Sequence, residues 1–129
     1  MFDRLIGFLF GTASAASPAA TEWMEGGLYV TPRENGAYVP LKILKVDADG
    51  VHVRIYSNVY PEVPARIDES TLYMAGIDQR EDEPMGMGHL PISLSSFSTW
   101  GAVLVQPSSV SDQELEGYAL WLEANGGYF

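Results

Sequence analysis

His52 and His89 are the only imidazoles in this 129-residue chain, and no cysteine accompanies them. Two imidazoles and a carboxylate suffice to hold a hydrolytic metal ion or to pass a proton, whereas sites built on several histidines or on thiolates are excluded within one copy. A metal-assisted hydrolase using His52 or His89 therefore requires the strand around His52 and the Gly-Met stretch around His89 to meet beside an acid. The simpler expectation puts His52 on a strand face beside Lys45 and leaves His89 hydrogen-bonded within its own loop. Other catalytic patterns are missing. No Gly-x-Ser-x-Gly elbow surrounds a serine, Gly86-x-Gly88 leads into no Lys-Ser/Thr pair, and the run from Asp78 to Glu83 lacks calcium-loop spacing and contains Arg80. The expectation is a non-enzyme with no metal and no cofactor.

Binding is the chemistry that the composition favours. Seventeen Asp and Glu against seven Lys and Arg give a formal charge of −10, which opposes nucleic-acid and anionic-lipid partners and favours a basic protein surface. The charge is uneven: residues 1–71 hold nine acids and six bases, for −3, and residues 72–129 hold eight acids and only Arg80, for −7. In the acidic half, Glu81, Asp82 and Glu83 precede Met85 and Met87, whose flexible side chains among glycines can mould to a partner. Glu114 opens the last helix, and Trp121, Tyr128 and Phe129 supply aromatic anchors of the kind enriched at interfaces. Together they make a non-catalytic adaptor or immunity-type inhibitor, presenting an acidic face to a basic protein, the leading expectation.

The elements that must position these residues are mainly strands. Leu28-Tyr29-Val30 and the run from Tyr38 to Val46 flank the turn formers Pro32 to Gly36, and Asp47-Ala48-Asp49-Gly50 joins residues 41–46 to residues 51–56 in a second hairpin. Counting outward from that turn pairs Val46 with Val51, Lys45 with His52 and Leu44 with Val53. Alternation buries Val51, Val53 and Ile55 and turns His52, Arg54 and Tyr56 to the other face. Leu41 and Ile43 share one parity and Leu44 and Val46 the other, which predicts a β-bulge near Ile43, while Pro40 suggests an edge or bulged strand. Residues 71–74 are expected to return as a short strand, residues 78–91 to form a mobile loop, and residues 102–105 to form a buried apolar strand. A short helix near 94–100 has Ser93 as its N-cap, Phe97 and Trp100 on one face and Gly101 as its stop. Ser111-Asp112-Gln113-Glu114 is a capping box that starts a helix over 112–124, with Leu115, Tyr118, Ala119 and Leu122 as the buried stripe.

From Gly27 to Met74 the bent strands, the tight Asp-Gly hairpin and the tyrosines near the loops resemble SH3-like barrels of the Tudor or chromo-like kind. That resemblance implies a small, strongly bent β-barrel within a mainly β, α+β chain. It also implies recognition of peptides or modified side chains by an aromatic cluster at one barrel end, where Tyr38, Tyr56 and Tyr60 are the matching positions; ordinary packing over the barrel end is the other fate of these rings. Residues 23–129 are expected to form a single domain behind an apolar segment, residues 1–22. There Phe2, Leu5, Ile6 and Leu9 make a helical stripe suited to docking, which is the basis of an alternative role as an assembly subunit, in a homo-oligomer or larger complex. Ala13-Ser14-Ala15 resembles a cleavage site, so the expected location is cytoplasmic, or exported if residues 1–15 are a signal peptide. The segment is too short and too interrupted to span a bilayer, leaving surface attachment as the only membrane role.

Overall fold

Turn chemistry and alternation build a sheet from most of this pattern. In the computed structural model, which describes residues 23–129, the strands are β1 (Leu28–Pro32), β2 (Tyr38–Val46), β3 (Gly50–Ile55), β4 (Met87–Ser93) and β5 (Val103–Gln106). They form one antiparallel sheet in the order β4-β3-β2-β1-β5. Among the described residues two helices, α1 (Leu94–Phe97) and α2 (Glu116–Glu123), complete a mostly β, α+β architecture. The sheet is open, with β4 and β5 as its edges, where the sequence suggests a closed barrel. The apolar segment containing Phe2, Leu5, Ile6 and Leu9 lies outside the described residues.

The β2–β3 hairpin pairs Val46 with Val51 and Lys45 with His52, as the turn count predicts. Leu44 is the extra residue of a bulge, so Val53 meets Ile43 instead. The bulge lets Leu41 and Ile43, and also Leu44, be buried despite their conflicting parity. Pro40 is buried in a central strand, not at an edge; its carbonyl accepts from Tyr56 N at 3.1 Å, one residue past the end of β3, so its missing donor interrupts no ladder.

Three further expectations need correction. Residues 71–74 form no strand and instead follow a 3₁₀ turn at Glu69–Thr71. The fourth strand is Met87–Ser93, most of which reads as a mobile loop because Gly88 and Pro91 are strand breakers; an edge strand tolerates both. The segment Val103–Gln106 is the opposite edge, and Val103 and Leu104 are exposed, not buried.

Both faces of the sheet are packed. On one, Tyr29, Leu41, Ile43, Val51, Val53 and Ile92 surround Phe97 of α1, with Trp23 edge-on to the Phe97 ring at 4.7 Å. On the other, Leu28, Val30, Tyr56 and Ile67 form a second cluster joined by Tyr38, Tyr60 and Leu72. Gln106 clamps that covering loop, accepting from Ile67 N at 2.8 Å and donating to Ile67 O at 3.1 Å. The same second face carries Lys42 and His52, which are buried polar groups and so require partners.

Candidate functional site

His52 sits mid-strand in β3, between Lys45 of β2 and Pro91 of β4, and its side chain is 0% exposed. Sequence alternation puts it on the polar face; α2 and the chain end cover that face and bury it. Its Nδ1 lies 2.9 Å from His89 Nε2 and its Nε2 lies 2.9 Å from Tyr128 Oη. The Tyr128 hydroxyl is in turn bonded to Asp47 Oδ2. His89 therefore bonds across strands to His52, not within a loop.

The carboxylate fixes the direction of this chain. Asp47 accepts only, so the Tyr128 hydroxyl donates to it and accepts from His52 Nε2–H. A neutral His52 then has a bare Nδ1, which accepts from His89 Nε2–H, and the one ring nitrogen left without a partner among the described residues is His89 Nδ1.

Local sequence explains how each group arrives. Asp47 opens the hairpin turn, where Oδ1 accepts from Asp49 N and Gly50 N at 2.9 Å each, leaving Oδ2 for Tyr128. A Cβ on Gly50 would collide with the Tyr128 ring, so glycine there lets the tail lie against the hairpin. The capping box forms as predicted, with Glu114 N donating to Ser111 Oγ at 3.2 Å and Ser111 N to Glu114 Oε1 at 2.8 Å. It leads first into a 3₁₀ turn, Gln113–Leu115, and then into α2.

The helix is rotated from its predicted stripe. Gly117, Tyr118 and Trp121 face inward, while Ala119 and Leu122 face outward. Tyr118 and Trp121 meet the His52 ring edge-on at 4.7 Å and 4.4 Å, and the His89 ring lies nearly parallel to it, hydrogen-bonded edge to edge with centres 5.1 Å apart. The tail then returns to β4: Phe129 N donates to Pro91 O at 3.1 Å and Ser93 N to Phe129 O at 2.9 Å. Trp121 Nε1 donates to Gly127 O at 2.9 Å, tying helix to tail.

The electrostatics follow from this burial. Burial lowers His52 below its ordinary value of 6.5, and neighbouring His89 adds to the effect against the opposing pull of Asp47. Burial likewise lowers His89. Burial raises the Asp47 carboxyl, but the Tyr128 hydroxyl, the two turn amides and His52 outweigh it and hold it below the ordinary range. Burial and the Asp47 charge push the Tyr128 phenol upward, so it stays a donor. A second buried group pins the start of the lid: Lys42 Nζ donates to Glu114 Oε2 and to Ser109 O, both at 2.9 Å.

This cluster brings His52, His89, Trp121 and Tyr128 together with Lys45, Asp47 and Tyr118, which the sequence marks only as strand, turn and helix-stripe residues, and with Gly117, which it does not mark. A signal for them exists only in the density of aromatics near the C-terminus. The remaining candidates lie in other settings. Tyr56 is buried, and with Tyr38 and Tyr60 it packs into the second core; burial pushes its phenol up to about 12. Glu81 and Asp82 are exposed, whereas Glu83 is drawn in by Tyr73 and Arg80. Met85 and Met87 are exposed, Glu114 is spent on Lys42 and the cap, and Phe129 projects outward. Among the described residues no three His, Cys, Asp or Glu side chains are grouped to hold a metal ion. The cluster can order protons and fix a helix, and its reactive nitrogens face one another. No protein-family model matches the chain, nor does any curated protein or solved structure.

Proposed function

We propose that the chain is a non-catalytic protein-binding module whose docking surface is the outer face of α2, and that its partner is a basic surface with apolar side chains. The observation that carries this reading is the exposure of Leu120 and Leu122, 66% and 52%, on a helix with no basic residue. Glu116 and Glu123 frame Ala119 and Leu120 in a shallow depression, and Phe129, on the tail that follows α2, is 74% exposed. Covering a leucine this exposed contributes about 1–2 kcal/mol, and the flanking carboxylates supply steering and selectivity for cations. A second copy is a poor occupant, since it would set these carboxylates against their equals.

The bent hairpin with its bulge supports the SH3-like likeness. We nonetheless assign recognition to α2 and not to Tyr38, Tyr56 and Tyr60, because these three rings are used in packing. The test is calorimetric titration with a synthetic Lys/Leu amphipathic helical peptide. Binding is expected to weaken at least about tenfold in Leu120→Ser and again in Glu116→Lys with Glu123→Lys, and to weaken as salt rises. Absence of binding, or binding indifferent to Leu120, contradicts the proposal.

A further inference from the structure

We propose that the His89–His52–Tyr128–Asp47 chain is an acid-labile latch that closes α2 and the C-terminal tail over the sheet and releases them on uptake of a second proton. The inference rests on donor counting, independently of what α2 binds. In the neutral chain every hydrogen bond runs one way, from His89 to His52 to Tyr128 to Asp47, and each donor has one acceptor. One added proton is accommodated. It can reside on His89 Nδ1, or on His52 if His89 shifts its remaining hydrogen to Nδ1 and accepts through Nε2. A second proton is not accommodated, because both imidazoles then present N–H along an axis of 2.9 Å, and two cations face each other edge to edge with ring centres 5.1 Å apart beneath a helix. The pair titrates as a unit and must separate to complete its titration.

The surroundings do not relieve this conflict. Facing the pair are Lys45 of β2, whose Nζ lies 5.7 Å over the Tyr118 ring, Asp47 and Asp49 of the turn, Arg54 of β3 beside Gly88, Tyr118 of α2 and Tyr128 of the tail. Among the described residues Asp47 is the one close anion, with Oδ2 3.7 Å from His52 Nε2, and it can balance a single charge. Movement of His89 presses directly on the lid, since a Cβ at Gly117 would sit 2.6 Å from His89 Cβ. The lid is also lightly anchored: no residue of α2 is buried, and its attachment at the far end is the Lys42–Glu114 pair. Opening therefore proceeds from the tail, with the Gln113–Leu115 turn as the hinge.

Residue-resolved hydrogen-exchange protection factors, measured from about pH 8 to pH 5 on the full chain, test the latch. Protection at residues 118–129 is expected to collapse while β1–β3 amides keep theirs. His89→Gln, which retains a donor to His52 Nδ1 but cannot titrate, is expected to move that midpoint down by about one pH unit or more. Retained lid protection in acid, simultaneous loss over the whole sheet, or an unchanged midpoint in His89→Gln would overturn the proposal. Should that variant not fold, side-chain ¹⁵N spectra of the unmodified protein decide. Double protonation of the pair must span the interval in which the lid amides lose protection, and separate intervals refute the latch.

Discussion

Lys42 shows how one residue can organise a distant part of this molecule. It is a lysine on a central strand, almost completely buried, and its ammonium is satisfied by Glu114 and by the Ser109 carbonyl. Removing one member of such a pair strands the other, so Lys42→Met is expected to destabilise the fold by about 2 kcal/mol in denaturant titrations near neutral pH. Burial raises the Glu114 carboxyl, yet its bonds to Ser111 and Lys42 leave it below the ordinary range. A carboxyl lowered by folding stabilises above its unfolded value, and that stabilisation fades as pH falls through the folded one. The deficit of Lys42→Met should therefore shrink in acid, a trend that denaturant titrations at several pH values read directly. Ser111→Ala, which removes the side chain accepting from Glu114 N, is expected to cost about 1 kcal/mol in the same assay. The cap was legible because Ser-x-x-Glu is a local signal. Lys42 was not, because alternation assigns it to a polar face and says nothing about the Ser109–Glu114 segment that covers it.

Among the elements, α2 is held by shape as much as by bonds. Gly117 normally weakens a helix by about 1 kcal/mol relative to alanine, so Gly117→Ala ought to be stabilising in isolation. Here the added methyl meets His89, and the variant is expected to have a lower thermal midpoint, with loss of the Trp121 and Tyr118 contacts to His52 visible in NMR spectra. Unchanged or increased stability would mean that α2 does not rest on His89. The β2–β3 hairpin was readable down to its bulge, since its turn residues and its conflict of parity are encoded within a few positions. Strand β4 was not, because Gly86, Gly88 and Pro91 signal a loop, and only pairing with Val51 and Val53 in three dimensions overrides them. The rotation of α2 escaped for a related reason. The Leu115–Leu122 stripe is the more hydrophobic face, but the buried histidine is matched by Tyr118 from that stripe together with Trp121 from beside it, whose rings contact the imidazole edge-on, and this turns Ala119 and Leu122 outward.

At the scale of the whole molecule, pH and charge act through the same C-terminal lid. Both histidines are lowered by folding, so the unfolded chain binds more protons than the native one once pH drops below their ordinary value of 6.5. Stability is therefore full above that value and declines as the pH falls through it toward the folded values. Denaturant midpoints should drop as the pH falls from about 6.5 to about 5, with a shallower slope in His89→Gln. The formal charge of −10 adds attraction for cationic surfaces, and α2 gives that attraction an apolar centre at Leu120. The most direct measurement is a backbone chemical-shift map of the protein titrated with the Lys/Leu peptide. Perturbations concentrated at residues 116–123 and at Phe129, with Tyr38, Tyr56 and Tyr60 unmoved, are the result this account predicts. A map centred on those tyrosines or on residues 78–87, or no perturbation at saturating peptide, would contradict it.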